Sequence, residues 1–127
     1  MSDSKTPAEK MRMTPGMTVA LLHAPDGAES LLGLVGDVTR IEDPAAADFV
    51  LVFASTQAEA EERLSALAPR IGPKTVAWLA YPKGSRAAGH DMSRDTVWRF
   101  AETVGLRLVS NVAIDDTWSA LRMRPAE

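Results

Sequence analysis

Apolar runs of strand length alternate along the chain with segments whose apolar residues recur at helical spacing. Two of the runs, residues 48–54 and 75–80, are almost wholly apolar, which is typical of strands covered on both faces. The last two runs are separated only by Asp115 and Asp116, and so short a connection requires an antiparallel pair. The predicted strands are residues 17–22, 38–41, 48–54, 75–80, 106–114 and 117–124.

Three helices are predicted between these strands, each starting at a residue whose side chain can cap the first turn. The clearest is residues 57–68, where Thr56 and Glu59 form a T-x-x-E capping pair. The predicted caps are Asp26, Thr56 and Ser93, the predicted ends are Gly33, Pro69 and Gly105, and the core-facing positions are Ala60, Leu64, Leu67, Val97, Phe100, Ala101 and Val104.

The alternation of strands and helices predicts the fold class, because it favours a parallel sheet with helices on both faces. We predict an α/β fold: a compact Rossmann-like three-layer sandwich, mostly parallel, with a C-terminal antiparallel hairpin strand. The chain has 127 residues, which fits one domain at about 150 residues per domain. Residues 1–13 are polar and are expected to form a flexible tail before a single domain at 14–127.

Composition and charge narrow the classes of function. The absence of cysteine excludes disulfides, thiol chemistry and cysteine-ligated metals. A net charge of −3 argues against a nucleic-acid partner, and no apolar run is long enough for a signal peptide or a membrane span, so we expect a cytoplasmic protein. Residues 1–66 carry five basic and eleven acidic side chains, whereas residues 67–127 carry nine and six. This asymmetry indicates either two solvated faces or a locally positive surface that meets an anion.

Polar residues follow four of the predicted strands, and ligands of parallel sheets bind beyond the carboxyl ends of the strands. The longest irregular segment, residues 81–92, follows one of these strands and has the length of a binding loop. The ligand-binding candidates are His23, Pro25, Gly27, Ser55, Tyr81, Lys83, Ser85, Arg94, Asp115, Asp116 and Trp118.

Each candidate has a functional and a structural interpretation. Lys83 and the helix start at Gly27 could hold a phosphate or carboxylate, or Lys83 could pair with Asp115 or Asp116. The two aspartates could also bind a cation or cap a simple turn, and His23 could act as a general base or as a hydrogen-bonded structural residue.

The aromatic candidates carry two interpretations as well. Tyr81 and Trp118 could form walls of the pocket, while Trp118 could instead pack on a helix. Arg94 flanks Trp98 and could take part in stacking on a nucleic acid, although a solvated helix face is expected. No metal site is predicted, since His90 has no partner at ligand spacing.

The sequence lacks the phosphate-binding loops that are common in this architecture. The turn after the first strand, LLHAPDGAESLLG, contains neither the G-x-G-x-x-G fingerprint nor a methyltransferase-type glycine loop. A G-x-x-x-x-G-K-[ST] loop and a G-x-S-x-G nucleophile elbow are also absent. The sequence therefore leaves the cofactor undefined.

Three motifs resemble a bacterial domain family of unknown function. They are the APDG turn at 24–27, the YPK segment at 81–83 and the AIDDTWS run at 113–119, after a PGM strand entry at 15–17. The resemblance covers residues 12–124 and implies a small α/β protein with no assigned activity. Its layout is similar to the later strands of class I methyltransferases, which also end in an antiparallel hairpin.

Three hypotheses follow for the function. The first is the binding of a small anionic metabolite or nucleotide at the carboxyl ends of the strands. The second is a small transferase or hydrolase that uses Asp115 or Asp116 as a base and Lys83 as an electrostatic stabiliser. The third is a protein-interaction domain that forms a homodimer without catalysis.

Overall fold

The computed structural model describes residues 6–34, 36–83 and 92–125. Short 3₁₀ turns lie at Pro44–Ala46 and Ala68–Arg70. The elements are α1 (Pro7–Lys10), β1 (Thr18–Leu22), α2 (Ala28–Leu32), β2 (Thr39–Ile41), β3 (Phe49–Phe53), α3 (Gln57–Leu67), β4 (Val76–Pro82), α4 (Arg94–Thr103), β5 (Leu106–Ala113) and β6 (Trp118–Pro125).

The six strands form one sheet in the order β2-β1-β3-β4-β6-β5. β1 to β4 pair in parallel, whereas β6 runs antiparallel to both of its neighbours, so that β5 again points the same way as β4. This architecture confirms the predicted mostly parallel α/β fold with a C-terminal antiparallel hairpin. The hairpin strand β6 is inserted between β4 and β5, which leaves β5 at the edge of the sheet.

Each face of the sheet buries its own apolar cluster, which completes the three layers. α3 and α4 cover one face through Ala60, Leu64, Val97 and Ala101, which pack on side chains such as Val50. Phe100 and Val104 of the predicted stripe are only partly buried against this cluster. The opposite face is covered by α1 and α2 and contains Ala8, Met11, Met13, Ala28, Leu32, Phe49, Leu51, Phe53 and Trp78.

Residues 6–13 differ from the flexible tail expected for the first thirteen residues; residues 1–5 lie outside the described ranges. Thr6 and Glu9 form a capping box for α1, and both Met11 and Met13 are buried. The Trp78 indole N–H donates a hydrogen bond to the Met11 carbonyl at 2.9 Å. The segment is polar on average, but its few apolar residues, Ala8, Met11 and Met13, are enough to attach it to the sheet.

The predicted caps of α3 and α4 are confirmed, but that of α2 is wrong. Thr56 accepts a hydrogen bond from the Glu59 amide, and Ser93 accepts one from the Thr96 amide. At α2 the N-cap residue is Gly27 in a left-handed conformation, with no side-chain cap, so Asp26 does not start the helix.

Among the described residues, none of the helices is long and apolar enough to cross a bilayer.

β4 is longer than the sequence pattern predicts and includes two residues that were expected in a loop. Pairing with β6 continues through Tyr81 opposite Ser119 and Pro82 opposite Trp118. Tyr81 is consequently buried in the core under α3 and α4, not placed at the mouth of a pocket. The irregular segment that follows begins at Lys83, and its residues 84–91 lie outside the described ranges.

Gly33 ends α2 with φ of +64° and lies against α1. A Cβ atom there would lie 2.9 Å from the Thr6 Cβ, whereas at Gly105, with φ of +79°, a Cβ atom would meet nothing within 4 Å. An alanine at either position is strained by the left-handed backbone, but only at Gly33 does the added Cβ atom also clash with Thr6. We expect Gly33→Ala to cost about 1 kcal/mol more than Gly105→Ala in urea unfolding. Equal costs would contradict this packing of α1.

Candidate functional site

The order in which successive strands are added to the sheet changes side at β1: β2 lies on one side of β1, and β3 lies on the other. From β1 the chain moves outward to β2, and it then returns to place β3 on the other side of β1. Such a switch point opens a crevice at the carboxyl ends of the two strands, where ligands of open α/β sheets bind. His23 follows β1 at this position, and Ala54 and Ser55 follow β3.

His23 has an unusual backbone conformation for a residue with a side chain. Its φ is +56°, in the left-handed region, and its side chain is exposed. A non-glycine residue in this region costs about 1 kcal/mol, and such strain concentrates at ligand sites. The conformation turns the chain out of β1 and leaves the imidazole at the mouth of the crevice.

Two clefts meet at His23. The first, here called the β1–β2 cleft, has a volume of about 570 Å³ and lies at the carboxyl ends of β1 and β2. The second, the α3 cleft, has a volume of about 360 Å³ and lies between the sheet and α3. Both volumes fall in the range of small-molecule sites. The β1–β2 cleft is lined by Leu21, Leu22, His23, Arg40, Ile41 and Glu42, and the α3 cleft shares Leu22 and His23 with it.

The two charged residues of the β1–β2 cleft differ in their partners. Arg40 forms an ion pair with Glu29 of α2 at 2.7 Å and also donates to the Leu21 carbonyl at 3.4 Å. Glu42 follows β2 directly, is exposed, and accepts no hydrogen bond from the described residues. Its carboxylate is therefore free to accept hydrogen bonds from a ligand.

Glu42 was not among the candidates taken from the sequence. In dinucleotide-binding folds an acidic residue about 20 residues beyond the first turn binds ribose hydroxyls. Glu42 stands at this distance from His23 and at the end of the second strand. The spacing is a signal for Glu42, but without a glycine fingerprint in the first turn it does not distinguish Glu42 from the other acidic residues of the sequence.

Side chains of α3 fix the end of β3 beside the α3 cleft. Arg63 donates to the Phe53 carbonyl at 2.7 Å and approaches Glu59 at 3.4 Å. Glu59 in turn accepts a hydrogen bond from the Ser55 amide at 2.8 Å. Ser55 is thus held at the crevice, and the cleft wall contains two arginines, Arg63 and Arg70, together with the acid Glu62.

Pro25 and Gly27 lie near the crevice, in a cavity of about 290 Å³ beside Arg40. The helix that begins at Gly27 has only five residues, so its dipole adds little to an anion site. Lys83 lies at the end of β4, where its amide donates to the Thr117 carbonyl at 2.7 Å. In the part of the chain that the structure describes, Lys83 forms no ion pair with either aspartate.

Asp115 caps the turn between β5 and β6. Its Oδ1 accepts hydrogen bonds from the amides of Thr117 at 2.8 Å and Trp118 at 2.7 Å. This arrangement matches the structural interpretation of the two acids, with Asp116 exposed beside it. Because the Asp115 carboxylate already accepts these two hydrogen bonds within the turn, it is poorly placed to act as a base or as a partner of Lys83.

Trp118 and Arg94 line neither of the two clefts. Trp118 packs edge-on against Phe53 with ring centroids 5.2 Å apart. The Arg94 guanidinium lies 5.6 Å from the Trp98 ring centroid on the surface of α4. Ser85 and the predicted non-ligand His90 lie outside the described residues. Over the residues described, no group of three or more acidic or histidine side chains could hold a metal ion.

The strain at His23 leads to a paired stability prediction. His23→Ala keeps a left-handed residue with a Cβ atom, whereas His23→Gly removes the steric cost at φ of +56°. We expect the glycine variant to unfold with a free energy about 1 kcal/mol higher than the alanine variant, as measured in urea. A glycine variant less stable than the alanine variant would show that His23 is not strained.

Comparison with known proteins gives a likeness in fold only. No family model and no curated protein matches the chain. Among solved structures, the mitomycin 7-O-methyltransferase MmcR superposes with a TM-score of 0.65 at 12% identity over 94% of this chain and 53% of that chain. A point mutant of MtNAS in complex with S-adenosylmethionine gives a TM-score of 0.58 at 14% identity over 94% of this chain and 59% of that chain. An O-methyltransferase of neocarzinostatin biosynthesis, also with S-adenosylmethionine, gives 0.56 at 18% identity over 84% and 41%.

These likenesses confirm the similarity to class I methyltransferases at the level of the fold. The chain spans only about half of the length of these proteins. The resemblance to a bacterial family of unknown function has no matching family model and stays a prediction. The chain is therefore a Rossmann-like α/β protein that shares its architecture with S-adenosylmethionine-dependent methyltransferases.

Proposed function

We propose that the chain binds a small nucleoside-bearing ligand in the β1–β2 cleft, with S-adenosylmethionine as the first candidate. The observation that carries the proposal is the free Glu42 carboxylate at the carboxyl end of β2, beside the switch point and the strained His23. Neighbours of the same fold bind S-adenosylmethionine, which supports this choice of ligand.

The ribose would be held by Glu42. A carboxylate accepts hydrogen bonds from two neighbouring hydroxyl groups, and a hydrogen bond to a charged group contributes about 1.5–3 kcal/mol. Leu22 and Ile41 line the same cleft and offer apolar surface to a base. The ion pair of Arg40 with Glu29 keeps the Arg40 charge from competing for Glu42.

An anionic group of the ligand would point from His23 into the α3 cleft. Arg63 and Arg70 line that cleft together with Glu62, and the contact of Arg70 with Asp43 is long, at 3.8 Å. A carboxylate or phosphate there would gain two charged donors. Lys83, at the end of β4, is the alternative anion partner proposed from the sequence.

The proposed hydroxyl recognition is tested by isothermal titration calorimetry with adenosine, 2′,3′-dideoxyadenosine and S-adenosylmethionine. We expect both ligands that contain the ribose diol to bind, and the dideoxy compound to bind at least about 10-fold more weakly than adenosine. Equal affinity for adenosine and its dideoxy analogue would contradict recognition by Glu42.

The transferase alternative is consistent with the methyltransferase neighbours of the same fold, whereas the homodimer has no specific support in the described residues. A transferase or hydrolase that works through Asp115 would need a carboxylate that is already bound to two amides of its own turn. A homodimer could pair through the free edge of β5, but its exposed residues are mostly polar or charged.

A further inference from the structure

Four arginines gather at the corner of the sheet farthest from the β1–β2 cleft. Arg107 of β5 lies directly opposite Arg124 of β6, and Arg122 lies two residues before Arg124 on the same face. Arg12 follows α1, which packs on that face and contacts β5. Four strand spacings, about 19 Å, separate β5 from β1.

No carboxylate offsets these charges in the described ranges. The ion pairs there involve Arg40, Arg63 and Arg70 and none of the four. The Arg122 Nε is buried and has no hydrogen-bond acceptor among the residues that the structure describes. Burial, together with the charges of Arg12 and Arg124, lowers the pKa of the Arg122 guanidinium.

The arrangement is costly for folding. Like charges directly opposite each other on neighbouring strands destabilise a sheet, and a buried donor without an acceptor does so as well. Arg12 adds a left-handed backbone with φ of +73°. A partner that supplies negative charge would offset the repulsion between these arginines.

We propose that this corner, made of Arg12, Arg107, Arg122 and Arg124, binds the phosphate backbone of a nucleic-acid strand. All four cations are arginines, and the guanidinium fork matches two phosphate oxygens where a lysine offers one point charge. The net charge of −3 argued against such a partner, but it averages over a surface on which these positive charges are concentrated.

The composition of the corner favours phosphodiesters over the other anionic partners. A membrane surface would require apolar groups to insert, and Val109 is the single exposed large apolar side chain among the residues described. Protein interfaces centre on exposed aromatic residues, whereas the aromatic nearest this face, Trp78, is 1% exposed. The distance from the β1–β2 cleft makes the corner an anchoring surface, separate from the proposed ligand site.

The test is fluorescence anisotropy with a labelled 20-nucleotide poly(U) strand over a range of salt concentrations. We expect a dissociation constant in the micromolar range at low salt, and a logarithmic salt slope of about −3 for four phosphate contacts on a single strand. Arg107→Glu is expected to weaken binding by at least about 10-fold, with a shallower slope.

Arg99→Glu, on the exposed side of α4, is the matched control because it makes the same change of charge on the opposite face. We expect it to change affinity less than about 3-fold. Arg107→Glu places an acid opposite Arg124, so its melting temperature should not fall, and lost binding cannot then be attributed to unfolding.

Four results would overturn the proposal. They are the absence of binding at low salt, an equal loss in Arg99→Glu, equally tight binding of poly-glutamate, and tighter binding of phosphatidylserine vesicles than of poly(U). Absence of binding would exclude the site, and an equal loss in Arg99→Glu would show that binding depends only on overall charge. Preference for poly-glutamate or for the vesicles would assign the corner to another kind of partner.

Discussion

Replacing Trp78 with alanine is expected to lower the free energy of unfolding by about 3–5 kcal/mol, the largest change expected for a single residue here. Trp78 lies in the middle of β4, is 1% exposed, and belongs to the cluster under α1 and α2. Its indole also bonds the Met11 carbonyl. The variant therefore creates a cavity and detaches the N-terminal segment from the sheet.

Urea unfolding followed by circular dichroism measures the effect. Trp98→Ala is the control, because Trp98 is only partly buried on α4 and its loss should cost less than about 2 kcal/mol. Trp78→Phe keeps most of the ring volume but loses the bond to Met11, so an intermediate cost of about 1–2 kcal/mol is expected. If Trp78→Ala cost no more than Trp98→Ala, the placement of Trp78 at the centre of the fold would be wrong.

Glu42→Gln is expected to weaken binding of the nucleoside ligand by roughly 10- to 100-fold. The substitution keeps the shape of the side chain and replaces a charged acceptor of two hydrogen bonds with a neutral amide. Because Glu42 is exposed and has no partner in the described part of the chain, its replacement should leave stability within about 0.5 kcal/mol. Calorimetric titration with S-adenosylmethionine gives the affinity, and thermal unfolding gives the stability.

Glu102→Gln serves as the control for Glu42→Gln. Glu102 is an exposed glutamate near the end of α4, at the edge of the sheet opposite the cleft, so the substitution changes the net charge by the same amount. We expect it to leave affinity unchanged. A similar loss in both variants would mean that the ligand responds to overall charge and not to Glu42.

Much of the fold could be predicted because its strands are buried on both faces. All five residues of β3 are buried, so the strand is visible as a continuous apolar run without any knowledge of its neighbours. The caps of α3 and α4 could be predicted for a similar reason, because Thr56 and Ser93 each bond an amide only three residues further along the chain.

The errors arose where long-range contacts decide the outcome. Nothing within β4 shows that β6 pairs along it as far as Pro82, and this pairing is what buries Tyr81. The attachment of residues 6–13 depends on the contact of Met11 with Trp78, sixty-seven positions along the chain. Asp26 has the residue type of a cap, but the left-handed Gly27 takes that position.

The sequence places its candidates along the carboxyl edge of the sheet, which is also the edge of the proposed β1–β2 cleft. The rule for parallel sheets places His23, Ser55 and Lys83 along one edge, yet the strand order alone determines the switch point. That order favours the cleft of His23 and Glu42 over the turn of Asp115. The corner of Arg12, Arg107, Arg122 and Arg124 could not be predicted from the sequence either, because Arg12 comes close to the other three only through the packing of α1 on the sheet.

The most direct test of the ligand site is a ¹H–¹⁵N correlation spectrum of the labelled chain during titration with S-adenosylmethionine. We expect the largest shift changes on the amides of Leu22, His23, Ile41 and Glu42, which border the β1–β2 cleft. Changes confined to Lys83 and Thr117 would move the site to the ends of β4 and β5. A spectrum that stays unchanged at saturating ligand, or that changes only around Arg107 and Arg124, would contradict the proposed function.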